Sequence, residues 1–503
     1  MVTLGRRLRS FAPDVGFFAV MLLLILTWLV AVPRWAVPDE PAHVFKALGT
    51  ADGQWLGQAI ETEPPTPSNY RRYVGPAQLG LGDVRCYFGD EDIPAGCDVG
   101  NEHGFVSSAA RYPPYYYAVV GGAARLVGQT DSVRVYRLAS ALICTAALTV
   151  AFALIRRSKA RRLAPLMLVA LTPMALFMLA SVNPNATEIA GFILVWALLA
   201  RMCTDDELSK SLTLATSVIA AVLVASRPIS AVWLACIGVV VLIAAAPDRR
   251  RTLLCRPYLI RIVVPLAISV VASLAWLRYA SFEIGDASVA TDLRFGTVAR
   301  LSVEAWPLYY RQTIGVLGWL DTDLPVITYV GWTLALVAVA TLYLRGASSR
   351  NWLTLAALVA AWLALPLVIN AFTAADAGLS FQGRYSLPIL AGVAFLPMLD
   401  TRNRRTPGSV TTMTVVALAV ISVAEIAGFW QMLRRFSVGA HGKIWLVGGL
   451  PWHPGVAPMV LIAVNAMTMI ALCVGTVVVT RSHPQCAQDG HVRTVGAADH
   501  SMM

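Results

Sequence analysis

Apolar stretches of roughly 17–25 residues recur along this chain between short polar turns, and each has the length of a helix that crosses a bilayer. They cover residues 15–32, 135–155, 163–181, 186–202, 211–226, 229–246, 258–278, 326–344, 351–371, 385–399, 410–430 and 456–480. The pattern predicts an all-α polytopic membrane protein with about 12 (roughly 11–13) transmembrane helices. With the N-terminus inside, alternation places Arg156, Arg157, Lys159, Arg161 and Arg162 in the cytoplasm. The same holds for Arg249–Arg251, Arg345 with Arg350, Arg402 with Arg404 and Arg405, and Arg481. Every short, strongly basic loop therefore falls on one side, as the positive-inside rule requires.

That charge map decides how residues 112–127 are read. Counted as a span, they would move the Arg156–Arg162 run outside. They hold Pro113, Pro114 and the Gly121-Gly122 pair, and Arg125 interrupts their end. They are expected to be an external juxtamembrane or re-entrant segment. The first span follows Arg6, Arg7 and Arg9 like a signal peptide, but its long apolar run lacks a small-x-small cleavage site, so it reads as an anchor.

Composition agrees with the pattern. Of 503 residues 57% are hydrophobic and 14% charged, with a mean hydropathy of +0.64. Soluble domains carry about 25% charged residues. The net charge of +11 sits in short loops beside spans, so the expected partner is the lipid bilayer and no nucleic acid. Residues 1–480 are expected to form one helical bundle, with 481–503 as a cytoplasmic tail. The expected location is the cytoplasmic (inner) membrane, with both termini inside.

Three long segments fall outside, 33–134, 279–325 and 431–455, whereas the inner loops are short and merely basic. Function is therefore expected at the outer face. Most of the eight cysteines behave as small apolar residues, but Cys86 and Cys97 both lie in the first external loop. Thiols oxidise there, and a disulfide between them is expected to contribute on the order of 3 kcal/mol. No CxxC or His/Cys cluster suggests zinc.

The first loop begins Val37-Pro38-Asp39-Glu40-Pro41-Ala42-His43. Asp39 or Glu40 can cap a helix here, with Pro41 in its first turn, and Asp39 and His43 would share a face. A capping charge and a catalytic carboxylate are both compatible with that position. The loop closes on Arg111-Tyr112-Pro113-Pro114-Tyr115-Tyr116-Tyr117. An interfacial aromatic belt explains the tyrosines; the paired prolines add a fixed bend. External turns bring Asn183-Pro184 with Glu188 beyond it, Arg227-Pro228, and Gln382-Gly383-Arg384-Tyr385. Either arginine alone could snorkel to lipid headgroups. Glu425, at membrane depth, is a functional candidate or an ion-pair partner.

Together the Asp-Glu-x-x-His start, the Pro-Pro-aromatic segment and the late Gly-Arg-Tyr-x-x-Pro resemble the GT-C superfamily, polytopic glycosyltransferases that use polyprenyl-phosphate sugars. The chain most resembles a bacterial family of predicted membrane proteins of unknown function. The matching motifs are residues 38–43, 112–117, Thr172-Pro173-Met174 with Asn183-Pro184, and 383–385. Tyr112 stands where the O-mannosyltransferases have a histidine, and no large soluble domain follows the bundle. The resemblance implies a GT-C-like bundle whose large first extracytoplasmic loop carries the site. It implies a polyprenyl-phosphate sugar as donor and an envelope glycan, glycolipid or protein as acceptor.

Such transfer needs a carboxylate to take the acceptor's proton and cations or a metal to hold the leaving phosphate. Asp39 is the candidate base, with Glu40 orienting it or helping to hold a divalent cation. Arg227 and Arg384 are candidate phosphate clamps. His43 would touch phosphate or acceptor, and Tyr112, Tyr115, Tyr116 and Tyr385 complete the candidate substrate-binding set. Two other classes compete. A transporter or flippase of lipid-linked sugars also fits twelve spans, although no internal repeat is evident. A non-catalytic scaffold of an envelope machine would tolerate changes at Asp39 and Arg384.

Overall fold

The computed structural model describes residues 2–60, 70–76, 79, 86–97, 106–284, 294–400 and 407–481. The expected tail thus lies outside the described residues apart from Arg481. Parts of the first two long loops do so as well. Each of the twelve apolar runs is helical, because only internally hydrogen-bonded backbone can be buried in hydrocarbon.

The chain opens with α1 (Val2–Ala31), then α2 (Glu40–Ala51), α3 (Tyr115–Val127) and α4 (Val133–Arg156). A 3-10 helix, Arg161–Ala170, leads into α5 (Pro173–Leu179), α6 (Pro184–Thr204), α7 (Lys210–Ser226) and α8 (Ser230–Ala244). Next come α9 (Pro247–Leu254), α10 (Arg256–Ile284), α11 (Phe295–Glu304) and α12 (Trp306–Gly315). After α13 (Val326–Leu344) and α14 (Ser349–Ala377), a 3-10 turn at Gly383–Ser386 precedes α15 (Leu387–Leu390) and α16 (Gly392–Leu399). The bundle closes with α17 (Pro407–Val438) and α18 (Pro458–Arg481). Among the described residues strands are confined to two small antiparallel pairs in loops, β1 (Arg71–Arg72) with β2 (Val106–Ser107), and β3 (Val316–Leu317) with β4 (Thr322–Asp323).

Among the described residues eight helices are long and apolar enough to cross a bilayer: α1, α4, α6, α10, α13, α14, α17 and α18. The remaining four predicted spans are broken or short. Residues 163–181 form two helices bent by 81°. The bend falls where Thr172 caps α5 by accepting the Ala175 N–H at 3.2 Å and Pro173 supplies a first turn. Residues 385–399 are broken into pieces, with Pro388 opening α15 and Pro397 inside α16. The helices α7 and α8 have 17 and 15 residues. Helix α6 is buried along nearly its whole length at the centre, whereas α10 exposes most of its apolar side chains at the edge.

One end of the bundle gathers the long loops; the other carries the short basic turns. At the loop-rich end α2 and α3 lie side by side. A Cβ on Gly121 would sit 2.0 Å from the Ala47 carbonyl oxygen, so the absence of a side chain there permits the approach. Residues 115–127 are therefore a helix packed on α2, and at about 1.5 Å per residue they are too short to span. Cys86 and Cys97 are disulfide-bonded, with Cα atoms 5.9 Å apart. Their loop is clasped by the buried Arg435 of α17, which donates to the carbonyls of Tyr87, Asp90 and Ile93 at 2.6–2.8 Å. Glu425, by contrast, pairs with no arginine among the described residues: it accepts from Trp28 Nε1 and Asn465 Nδ2 inside the bundle.

Candidate functional site

Between α1 and α2 the chain turns twice through left-handed backbone, at Trp35 (φ 69°) and Asp39 (φ 64°). Such conformations cost about 1–3 kcal/mol at a non-glycine residue and persist only where the surroundings impose them. Trp35 is held by complete burial, with its carbonyl accepting from Trp319 Nε1 at 2.9 Å. Asp39 occupies the cap position of α2, yet its side chain makes no capping hydrogen bond. The capping expectation is thus corrected, because the left-handed turn aims the carboxylate away from the helix. It aims at Arg384, whose Nη2 donates to Asp39 Oδ2 at 2.6 Å.

The two partners are unequally exposed. The Arg384 side chain is 1% exposed and that of Asp39 43%, so solvent reaches the carboxylate while the guanidinium stays inside. Burial pushes the Asp39 carboxyl up, but the neighbouring charges, Arg384 with its hydrogen bond foremost, together hold it below the usual carboxylate range. Among the described residues Arg384 Nε has no hydrogen-bond partner, and Nη1 meets the Met178 sulfur at 3.9 Å. Arg384 is set by the turn it belongs to. The Gly383 N–H donates to Gln312 Oε1 at 2.8 Å, and a Cβ on Gly383 would sit 2.0 Å from the Tyr309 carbonyl oxygen.

Arg227 arrives from the end of α7 and is buried as well. Its guanidinium meets Glu188, which also accepts from Ser230 Oγ at 2.6 Å and from Trp233 Nε1 at 3.1 Å. Tyr385 lies between the two cations, its ring 5.2 Å from the Arg227 and 5.4 Å from the Arg384 guanidinium carbon. Neither arginine snorkels. His43 shares a hydrogen bond of 2.9 Å with the Tyr117 hydroxyl, and its ring meets that of Tyr112 edge-on at 5.6 Å. Burial raises the Tyr112 phenol, which also feels the charges of Arg227, Asp39 and Arg384.

Asp39, His43, Tyr112, Arg227, Arg384 and Tyr385 therefore come together; three other candidates do not. Glu40 is fully buried and both its oxygens are occupied, Oε1 by Arg137 Nε at 2.8 Å and Oε2 by Arg137 Nη2 at 2.6 Å. Arg137 also donates to the Val32 and Pro33 carbonyls at 2.7 and 2.8 Å, closing the end of α1. Tyr116 points into the core and donates to Ser140 Oγ at 3.1 Å. Tyr115, two residues before Tyr117 on the same helix and so on roughly the opposite face, is 50% exposed. The sequence reading missed Tyr117, which one helical step separates from Tyr116. It also missed Arg137, although a lone arginine inside a predicted span is itself a signal. Among the described residues no three His, Cys, Asp or Glu side chains gather where a metal ion could be held.

Burial also pushes His43 down to about 3, against the opposing pull of Asp39. Its folded value lies below the ordinary value of about 6.5, so its contribution to stability is complete above that pH and is lost as pH falls toward 3. At about 1.4 kcal/mol per pH unit, roughly 2 kcal/mol is lost by about pH 5. The melting temperature of the detergent-solubilised protein is expected to fall more steeply below that pH than that of His43→Asn. Parallel curves would refute the neutral, buried histidine.

ArnT from Cupriavidus metallidurans is similar over 93% of this chain and 76% of its own, at 14% identity and a TM-score of 0.45, in both its apo state and its undecaprenyl-phosphate-bound state. An Archaeoglobus fulgidus oligosaccharyltransferase tethered with an acceptor peptide is similar over 85% of this chain and 56% of its own, at 11% identity and a TM-score of 0.36. No curated protein matches the sequence. Residues 22–393 match the family described as predicted membrane protein (DUF2142), and the chain belongs to that family.

Proposed function

We propose that this protein is a membrane glycosyltransferase that moves a sugar from a polyprenyl-phosphate donor to an extracytoplasmic glycan, glycolipid or protein. The observation that carries the reading is the Asp39–Arg384 pair, a solvent-reachable carboxylate bound to a buried guanidinium at the loop-rich end. In this reading the loop-rich end faces outward, the basic turns face the cytoplasm, and the membrane is the inner one.

The chemistry follows from which atoms are occupied. Asp39 Oδ2 is engaged with Arg384, leaving Oδ1 to accept a proton. The acceptor hydroxyl oxygen attacks the anomeric carbon as its proton passes to Oδ1. The bond from that carbon to the phosphate oxygen breaks, and the electron pair leaves with the phosphate. Arg384, with its unpartnered Nε, and Arg227 supply positive charge to the departing group. Tyr112 and Tyr385 offer ring faces and hydroxyls to the sugar. Glu40 acts at one remove: its pair with Arg137 fixes the turn that presents Asp39.

The test is incubation of the purified full chain with radiolabelled polyprenyl-phosphate sugars and envelope acceptors. Labelled acceptor is the expected product. Uptake of lipid-linked sugar into vesicles without any new glycosidic bond would establish a transporter instead. The same assay checks the turn that seats Arg384. Gly383→Ala must displace Tyr309 or shift the turn, and a misplacement of about 1 Å is expected to lower transfer about a hundredfold. Unchanged transfer in that variant would count against Arg384 as a clamp.

A further inference from the structure

Helix α17 does not stop where its apolar stretch ends. It runs on from Trp430 to Val438, roughly 12 Å further along its axis, and carries Arg434 and Arg435 there. The chain then turns back. The Gly442 carbonyl accepts from Arg434 Nε at 3.2 Å, and the Ile444 carbonyl accepts from Trp430 Nε1 at 3.3 Å, one helical turn nearer the apolar stretch. Gly448 (φ 64°) and Gly449 (φ 48°) reverse the chain again, through a left-handed backbone that glycine adopts without strain. By Trp452 it is back beside Ser437, whose carbonyl accepts the Trp452 N–H at 3.4 Å. Residues 439–452 are therefore a folded excursion whose tip, 444–449, lies at the level where α17 becomes apolar.

The tip is apolar and points away from the protein. Ile444, Trp445 and Val447 are 62%, 70% and 60% exposed, while Leu446 among them is buried and anchors the segment. From Gly442 to Trp452 the chain holds no acidic residue and a single cation, Lys443. Water disfavours three large apolar side chains presented within four positions. The boundary of a bilayer favours them: tryptophan collects where hydrocarbon meets headgroups, and a lysine beside it reaches back to water.

The excursion is also tied to the disulfide-bonded loop. The Ala440 N–H donates to the Glu91 carbonyl at 2.8 Å, the Phe436 carbonyl accepts the Ala95 N–H at 2.9 Å, and His441 Nδ1 meets Asp92 Oδ1 at 2.9 Å. A Cβ on Gly96 would sit 2.1 Å from the Pro451 carbonyl oxygen, so the two backbones pack directly. Whatever holds the tip therefore holds the Cys86–Cys97 loop.

We propose that residues 444–449 insert into the headgroup region of the bilayer at the loop-rich end, with phospholipid as the partner of Ile444, Trp445 and Val447. The inserted tip pins the disulfide-bonded loop to the membrane surface. The inference does not depend on the reading of Asp39, and its test involves no transfer reaction.

The experiment puts the photocrosslinker p-benzoylphenylalanine in place of Trp445 in the full chain, reconstituted into vesicles of radiolabelled phosphatidylcholine. Irradiation is expected to attach labelled lipid to the protein. The same group in place of His441, exposed but directed to the disulfide-bonded loop, is expected to capture little. Ile444→Ser/Val447→Ser is expected to lower lipid capture at the Trp445 position about tenfold, the effect of losing roughly one half-buried aliphatic side chain. Both side chains are exposed, so the melting temperature in detergent is expected to stay the same. If the group at Trp445 prevents folding, the same group at Val447 with Ile444→Ser carries the test. Equal capture at the Trp445 and His441 positions, or capture unmoved by the serine substitutions, would overturn the proposal. A cross-linked dimer in place of the lipid adduct would overturn lipid as the occupant and assign the tip to a second copy of the chain.

Discussion

Asp39→Asn is expected to yield a protein that folds and inserts normally but transfers sugar about a hundredfold to ten-thousandfold more slowly, the usual loss for a general base. The substitution is unusually clean at this site. Asparagine tolerates the left-handed backbone that Asp39 adopts, so the turn into α2 is kept. Its amide oxygen can still accept from Arg384, but it cannot take up a proton. Asp39→Ala would mix two effects, since it also strains the backbone and leaves the buried guanidinium unpaired. Product formation and melting temperature measured on the same preparation separate them. A fully active Asp39→Asn protein would remove Asp39 as the base.

The second large effect is expected one residue later and in a different quantity. Glu40→Ala leaves Arg137 charged and buried, which typically costs about 3–5 kcal/mol. It also frees the Val182 N–H that Glu40 Oε1 accepts at 3.1 Å. The loss should appear as a lower melting temperature in detergent, with activity falling because the protein unfolds. Replacing both partners, as Glu40→Met with Arg137→Met, removes the uncompensated charge and is expected to recover much of the stability. A Glu40→Ala protein as stable as the wild type would show that the pair does not hold the turn. Adjacent carboxylates would thus be distinguished by experiment, one through rate and the other through stability.

The fates of neighbouring residues show where sequence reading reaches its limit. Helix location was legible, since a run of apolar residues long enough to cross a bilayer is a local property. The breaks within 163–181 and 385–399 were less so, although Pro173, Pro388 and Pro397 mark them. In Tyr115-Tyr116-Tyr117 each residue turns about 100° from the last, so the helix's rotation decides their roles. One is exposed, one is buried on Ser140 and one meets His43. No composition or spacing determines that rotation; packing on α2 and α4 does.

By itself the sequence determined a polytopic helical membrane protein, the side preference of its basic loops, and a short set of polar residues worth suspecting. These follow from hydrophobic length and charge, which are readable along one dimension. Only the tertiary structure decided that Asp39 meets Arg384 across 345 residues while Glu40 turns to Arg137. It also decided that Glu188 and Tyr385 hold Arg227 inside the protein. The reason is that burying a charge is costly unless a partner is brought to it, and which partner arrives depends on how the helices pack.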